Sequence, residues 1–310
     1  MLDLVNLTKT YRDLTAVDSL SLHLEPGEIF GFIGPNGAGK TTTIKMIATL
    51  VRPTDGEARV NDISVVAHPE QVRAIIGYMP DYFGVYDDVR VWEYLDFFAS
   101  AYRIPRADRP RLIADVLELT DLNVKRNAFV EELSRGMKQR LCLAKTLLHD
   151  PVLLLLDEPA SGLDPRARIE MRELLRQLRR MGKTIFISSH ILTELADFCT
   201  TIGIIEAGRL IASGSVEEII KQTGLTRTLE IRATQGLELV ETILRDNPLV
   251  HDVVLDSESD RCQVSFAGEL DDVADLLKCL LDRGVRVVQA VESASDLEDI
   301  FLRVTRGQVA

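Results

Sequence analysis

The sequence Gly34-Pro35-Asn36-Gly37-Ala38-Gly39-Lys40-Thr41-Thr42 matches the pattern G-x-x-x-x-G-K-[ST]. Glycines at these positions let successive backbone N–H groups turn toward the oxygens of a bound phosphate. A lysine placed like Lys40 reaches the β- and γ-phosphates of a nucleotide, and a hydroxyl placed like that of Thr41 can ligate Mg²⁺. The pattern therefore predicts that these nine residues form a phosphate-binding loop.

The residues on either side of this loop favour that interpretation over a glycine-rich turn that matches by chance. Ile29–Ile33 is an apolar run typical of a buried strand, and Thr42–Leu50 has the pattern of a helix. A helix that begins at the loop directs its positive end toward a bound phosphate.

Length and composition limit the classes of protein to consider. The chain has 310 residues, enough for two domains, and its 46% hydrophobic and 27% charged residues indicate a globular protein. A net charge of −12 argues against nucleic acid as a partner. Because no apolar run reaches about 18 residues and the N-terminus lacks the pattern of a signal peptide, we expect a cytoplasmic protein.

Two further groups of polar residues directly follow apolar runs. Asp157 and Glu158 come after Val152–Leu156, which is uniformly apolar, and His190 comes after the run Thr184–Ser189. Ligands of open parallel sheets bind at the carboxyl ends of the strands, so these residues should meet the phosphate loop at one edge of one sheet. Taken alone, Asp157 could be a helix cap, Glu158 a surface acid and His190 a structural histidine.

The middle of the chain has a helical pattern from about residue 90 to residue 149. Trp92, Phe97 and Phe98 are predicted to be mainly core residues. The preceding segment Tyr82–Tyr86 is aromatic but loop-like, which predicts a docking surface. The segment Leu133–Arg140 is expected to lead into a helix over residues 141–149.

The character of the sequence changes after Gly224. Strand and helix patterns alternate in the order β-α-β-β-α-β, which predicts a small ferredoxin-like α+β domain over residues 225–310. A last helix is predicted over Leu297–Val304.

With these motifs in order, residues 2–220 resemble the ATP-binding subunit of ABC transporters. Gly34–Thr42 resembles the Walker A motif, Leu133–Met137 the signature motif and Leu153–Glu158 the Walker B motif with its glutamate. Ser161–Asp164 resembles the D-loop, and Ser189-His190 the switch histidine. The resemblance implies an α/β P-loop NTPase fold over residues 1–222, with a RecA-like core, an antiparallel β subdomain and a helical subdomain at about 82–149.

The resemblance also implies roles for individual residues, with ATP and Mg²⁺ as ligands. Tyr11, which the residues alone favour as an ordinary half-buried tyrosine, takes the position of the aromatic that stacks on the base. Lys40, Glu158 and His190 are the implied catalytic residues, with Glu158 as the general base and His190 as a γ-phosphate sensor. The implied Mg²⁺ ligands are Thr41 and Asp157. Ser134, Gly136 and Asp164 are the implied nucleotide-contacting residues of the signature and D-loop, with Ser134 and Gly136 reaching the γ-phosphate of the opposite subunit.

Two positions depart from the family pattern. In the signature, Arg135 and Met137 replace a glycine and a glutamine, while Ser134 and Gly136 are kept. At the position of the Q-loop glutamine stands Asp81, whose carboxylate would repel a γ-phosphate unless it binds Mg²⁺ or points away. Both variants, and the tail Leu297–Leu302, resemble subunits that pair with separate membrane proteins of drug and lipid exporters.

The expected function is therefore that of an ATPase that powers an exporter from the inner face of the cell membrane. The implied partners are a second copy in a head-to-tail dimer, or a homologous ATP-binding subunit, and integral membrane permease subunits. Three alternatives remain open: a soluble ABC-type switch acting on ribosomes or DNA, a nucleotide-binding regulator that does not hydrolyse ATP, and an importer subunit.

Overall fold

The computed structural model describes residues 1–292 except 83, 85–87, 193–194, 196–197, 216–217, 220–226, 246, 257–260 and 267–269. These residues form two compact units, one up to residue 215 and one from residue 218 onward. None of the helices in the described ranges combines the length and the apolar character needed to cross a membrane. The predicted docking segment Tyr82–Tyr86 lies partly, and the predicted helix Leu297–Val304 wholly, outside the described residues.

Ten strands and six helices of the first unit are described. The strands are β1 (Leu2–Tyr11), β2 (Leu14–Leu24), β3 (Ile29–Ile33), β4 (Asp55–Val60), β5 (Ile63–Ser64), β6 (Ile76–Met79), β7 (Leu153–Asp157), β8 (Thr184–Ser189), β9 (Thr201–Glu206) and β10 (Arg209–Gly214). The helices are α1 (Lys40–Ile47), α2 (Pro69–Ile75), α3 (Val91–Ala101), α4 (Arg109–Leu119), α5 (Arg135–Leu147) and α6 (Pro165–Arg180).

The central sheet of this unit has six strands in the order β10-β9-β3-β8-β7-β6. All neighbours are parallel except β10, which runs antiparallel to β9. Strands β3, β7 and β8 are buried along their whole length, as uniformly apolar sequences predict for strands covered on both faces. Ile33 pairs with Ser189 and Asp157 with Ser188, so the carboxyl ends of the three strands are level. The predicted common edge is therefore confirmed.

A second sheet, with four antiparallel strands in the order β2-β1-β4-β5, packs on the first through a shared apolar core. The core joins Leu2, Leu20 and Val60 of the second sheet to Phe32 and Phe186 of the first. The sheet brings Tyr11, at the end of β1, to the same side of the unit as the phosphate loop.

The helical segment agrees with the predicted region but differs in detail. Helix α5 begins at Arg135, not Leu141, because the Oγ of Ser134 caps it by accepting the N–H of Met137 at 3.3 Å. Phe97 is exposed, contrary to the core prediction, and Tyr94 of the same helix is fully buried in its place. Trp92 and Phe98 are half-buried.

The second unit has the predicted β-α-β-β-α-β order. Its elements are β11 (Arg227–Ala233), α7 (Leu237–Leu244), β12 (Val250–Asp256), β13 (Arg261–Phe266), α8 (Leu270–Asp282) and β14 (Val287–Glu292). The antiparallel sheet has the order β12-β13-β11-β14, the arrangement of a ferredoxin-like fold. Apolar residues of the strands and of both helices, among them Ile231, Phe266 and Leu280, form its own core.

Candidate functional site

The phosphate loop links β3 to α1 through two glycines in left-handed backbone conformations. Gly37 has a φ of 84° and Gly39 a φ of 106°, a region that side chains disfavour. A Cβ on Gly39 would also lie 2.4 Å from the carbonyl oxygen of Ala16, so the loop approaches the second sheet too closely for any other residue. Helix α1 begins at Lys40, inside the predicted loop and two residues before the predicted helix start, and directs its free N–H groups toward residues 34–39.

The ammonium group of Lys40 lies within the loop. Its Nζ donates to the carbonyl oxygens of Gly34 at 2.7 Å and Pro35 at 3.1 Å. The side chain is 5% exposed, and this burial lowers its pKa, while the negative charge of Glu158 partly opposes the change. A cation held inside a ring of backbone amides is suited to bind phosphate oxygens.

Asp157 lies at the carboxyl end of β7, opposite the start of α1. Its Oδ1 accepts hydrogen bonds from Thr41 Oγ1 at 3.2 Å and from Ser188 Oγ at 2.7 Å. Its Oδ2 is buried and has no hydrogen-bond partner among the residues that the structure describes. Burial raises the pKa of this carboxyl, and the negative charges of Asp81 and Glu158 raise it further. A buried oxygen without a partner, beside a threonine hydroxyl, suits the coordination of a hard cation such as Mg²⁺.

Glu158 directly follows Asp157 and adopts a left-handed backbone with a φ of 51°. Its N–H donates to Ser188 Oγ at 3.0 Å, which helps to hold this uncommon conformation. The side chain is 11% exposed, with Oε1 at 3.5 Å from Lys40 Nζ and Oε2 at 2.8 Å from Nδ1 of His190. Since an ionised carboxylate only accepts hydrogen bonds, Nδ1 of His190 is the donor.

Lys40, Glu158 and His190 line one cleft of about 430 Å³, and Asp157 is hydrogen-bonded to Thr41 of the same lining. Its lining consists of Tyr11, Leu14, Ala16, Asn36, Gly37, Gly39, Lys40, Thr41, Thr42, Asp81, Glu158, Ser161 and His190. Tyr11 is 44% exposed at one end, with the ammonium of Lys9 over its ring at 4.9 Å from the centroid. Ten of these thirteen residues are among those that the sequence resemblance implies for the site.

Ser134, Gly136 and Asp164 do not line this cleft. Within one chain Ser134 caps α5, and Asp164 caps α6 by accepting the N–H of Ala167 at 2.9 Å. Ser134 and Asp164 are both exposed. A site built from a single chain therefore lacks the signature residues.

Comparisons with known proteins agree with this geometry. The ABC transporter family matches residues 17–161. The Nod factor export ATP-binding protein I of Burkholderia pseudomallei is 35% identical over 98% of this chain and 96% of its own length, and that of Rhizobium meliloti is 36% identical over 98% and 88%. This chain belongs to the ATP-binding proteins of ABC transporters.

Solved structures show the same fold. An ATP-binding subunit of an ABC transporter is similar with a TM-score of 0.65 and 31% identity, over 72% of this chain and 93% of that one. A dimeric ATP-binding cassette in a post-hydrolysis state, bound to ADP and Pi, has a TM-score of 0.63 and 25% identity, over 70% and 99%. The predicted P-loop NTPase fold is thus confirmed, and this ABC protein is an ATPase that binds ATP.

Four contributors to the site of this ABC protein are not among the residues predicted from the sequence. Ser188 bonds both Asp157 and the backbone of Glu158, and Leu14, Ala16 and Ser161 line the cleft. The sequence signal for Ser188 is a hydroxyl near the end of a mostly apolar strand. The register of that strand pairs Ser188 with Asp157. Ser161 belongs to the segment that resembles the D-loop, for which the resemblance implies a role only at Asp164.

Proposed function

We propose that this ATPase powers export of a substrate through separate membrane subunits. The full-length similarity to proteins named for Nod factor export supports this direction of transport, because the aligned region includes the second unit as well as the first. The membrane partners determine which substrate is exported. Residues 225–310 form an accessory domain.

The observation that carries the hydrolytic part is that Glu158 contacts both Lys40 and His190 in one cleft, with Asp157 bonded to Thr41 of the same cleft. Lys40 and the amides of residues 34–42 bind the phosphates, and Tyr11 stacks on the base. The Lys40 ammonium contacts two loop carbonyls and Glu158, and the phosphates of a bound nucleotide compete for the same ammonium.

Thr41 and Asp157 hold Mg²⁺, which neutralises phosphate charge when it is bound. The partnerless Oδ2 of Asp157 supports this role. Asp81 is exposed and lines the cleft, and its charge acts on Asp157 and Lys40. We assign Asp81 as a further Mg²⁺ ligand in place of the family's glutamine.

Glu158 acts as the general base that polarises the attacking water. Its low exposure limits competing water, and His190 orients the carboxylate through the contact with Oε2. His190 also contacts the γ-phosphate and senses its loss. Both residues are close enough to the loop to act on the terminal phosphate of a bound nucleotide.

Two copies pack head to tail, so that each closes the cleft of the other. This is supported by the position of Ser134, Gly136 and Asp164 outside their own cleft, and by the dimeric form of a similar cassette. The membrane subunits contact the face that includes Tyr82, whose side chain is 88% exposed. The protein then works at the inner face of the membrane.

The main alternative is a soluble ABC-type switch that is not coupled to transport. One experiment separates the two: purification of the tagged chain from detergent-solubilised membranes, together with the membrane protein encoded by a neighbouring gene. We expect the two proteins to co-purify and the ATPase activity to rise on reconstitution with that protein into vesicles. The Lys40→Ala chain should show no ATPase activity. A chain that stays free of membrane proteins and whose activity is unchanged by reconstitution would contradict the export function.

A further inference from the structure

The start of helix α5 contacts the turn that carries Glu158, through a residue of the signature that departs from the family pattern. Nη2 of Arg135 donates to the carbonyl oxygen of Ser161 at 3.1 Å. The buried Gln139, one turn further along α5, donates its Nε2 to the same oxygen at 3.3 Å. A carbonyl oxygen has two lone pairs, so these two donors complete its hydrogen bonding.

Ser161, which Arg135 contacts, is in turn bonded to the backbone of Glu158. The N–H of Ser161 donates to the carbonyl oxygen of Glu158 at 3.0 Å, closing the turn between them. Glu158 has a left-handed backbone, an arrangement that needs support from its surroundings. Arg135 therefore bonds one end of this turn, at Ser161. The other end of the turn sets the direction in which the side chain of Glu158 points.

The position of the Arg135 guanidinium depends on a glycine of the adjacent loop, Gly162. A Cβ on Gly162 would lie 2.4 Å from both Cζ and Nη2 of Arg135. The absence of a side chain at residue 162 is thus what lets the guanidinium lie flat on the loop backbone. Arg135 and Gly162 form one contact, which either residue alone can break.

We propose that Arg135 is a positioning residue for hydrolysis, which fixes the Glu158 turn to the signature helix through Ser161. This inference rests on the proposed role of Glu158 as the general base. It gives Arg135 an effect on the rate of the chemical step and none on the binding of ATP to a single chain, because Arg135 does not line the cleft of its own chain. It also makes the signature helix and the base of one chain move together.

The test measures kcat, KM and ATP affinity for Arg135→Ala, Gly162→Ala and the double variant, using the full chain. We expect Arg135→Ala to lower kcat about fivefold, the size expected from one exposed hydrogen bond, with the ATP affinity of the single chain unchanged. Arg135→Lys, which keeps a charged donor, should recover part of the loss. Arg166→Ala removes an exposed arginine from the start of α6 and is the matched control, with normal kcat expected.

The double variant gives the decisive comparison. Because both single changes break one contact, the double variant should be no slower than Gly162→Ala alone. The strain of alanine at a φ of 66° is present in both backgrounds and cancels. A normal kcat in Arg135→Ala, additive losses in the double variant, or a matching loss of ATP affinity would each overturn the inference. If Glu158→Gln retains normal activity the proposed base is wrong; if it is inactive while Arg135→Ala is normal, only this inference fails.

Discussion

Nδ1 of His190 lies 2.8 Å from Oε2 of Glu158, across the carboxyl ends of two neighbouring strands. The other oxygen of the same carboxylate faces the Lys40 ammonium. Glu158 is therefore held from two sides, by a histidine of the neighbouring strand end and by the lysine of the phosphate loop.

Replacing His190 should slow hydrolysis more than it weakens binding. His190→Ala removes the group that orients Glu158, so we expect kcat to fall by about 10²-fold, the low end of what a positioned acid–base group contributes. ATP affinity should change little, because Lys40 and the loop amides remain. Steady-state ATPase kinetics and fluorescent nucleotide binding measure the two effects. His251→Ala, an exposed histidine of the second unit, serves as the control, and a near-normal kcat in His190→Ala would exclude this role.

Asp157 should destabilise the nucleotide-free protein at neutral pH. Burial raises the pKa of its carboxyl, so between pH 3.8 and that raised pKa the folded state binds more protons than the unfolded state. Stability attributable to this group therefore falls as pH rises through the window and stays low above it. Asp157→Asn removes the buried charge and should raise the melting temperature at pH 7, by about 2–4 °C for each kcal/mol recovered.

Thermal unfolding without nucleotide tests this expectation for Asp157. The gain should shrink toward pH 4, and the same variant should lose the stabilisation that Mg²⁺ and ATP give the wild type. Glu118→Gln on α4, which removes an exposed carboxylate, should leave both properties unchanged. A lower melting temperature in Asp157→Asn at pH 7 would show that the carboxylate stabilises the fold.

Asp81 should affect the metal requirement. If its carboxylate reaches Mg²⁺, Asp81→Asn raises the Mg²⁺ concentration needed for half-maximal ATPase activity, because a charged ligand is replaced by a neutral one. Titration of activity with Mg²⁺ at saturating ATP measures this. Asp88→Asn, an exposed acid that does not line the cleft, is the matched control. An unchanged Mg²⁺ dependence in Asp81→Asn would mean that Asp81 points away from the metal.

Sharing of the site between two chains can be tested by mixing inactive variants. Lys40→Ala removes the phosphate-binding lysine, and Ser134→Arg blocks the signature that closes the other chain's cleft. A mixed dimer has one site in which both defects meet and one site that is intact. ATPase activity should therefore recover on mixing, although each variant alone is nearly inactive. Dimers that form but remain inactive would contradict the head-to-tail arrangement.

The parts of this site that could be predicted from sequence are those fixed by local pattern. Residues 34–42 and the apolar runs before Asp157 and His190 define strand ends, and the parallel sheet then brings them together. Contacts that depend on how distant segments pair in the folded chain could not be predicted from the sequence. Neither the bond from Ser188 to Asp157 nor that from Arg135 to Ser161 has a local signal, because each joins residues 26 or more positions apart.

Other errors in the placement of helices have a similar origin. Helix α2 has seven residues, too few to show a period, and was not predicted. On α3 the apolar residues cover more of the surface than one face, and only tertiary packing decides that Tyr94 is buried while Phe97 is exposed. The early start of α5 follows from the cap at Ser134, whose hydroxyl accepts the N–H of Met137.

The most direct test of the account is the behaviour of Glu158→Gln. This change keeps the shape of the side chain, removes the proton acceptor, and removes a negative charge beside the phosphates, so ATP binding should not weaken. Hydrolysis should fall by about 10²–10⁴-fold. Size-exclusion chromatography with Mg²⁺ should show the variant as a dimer with ATP and as a monomer with ADP. A Glu158→Gln chain that hydrolyses ATP at close to the wild-type rate would contradict the account, since another group would then be the base.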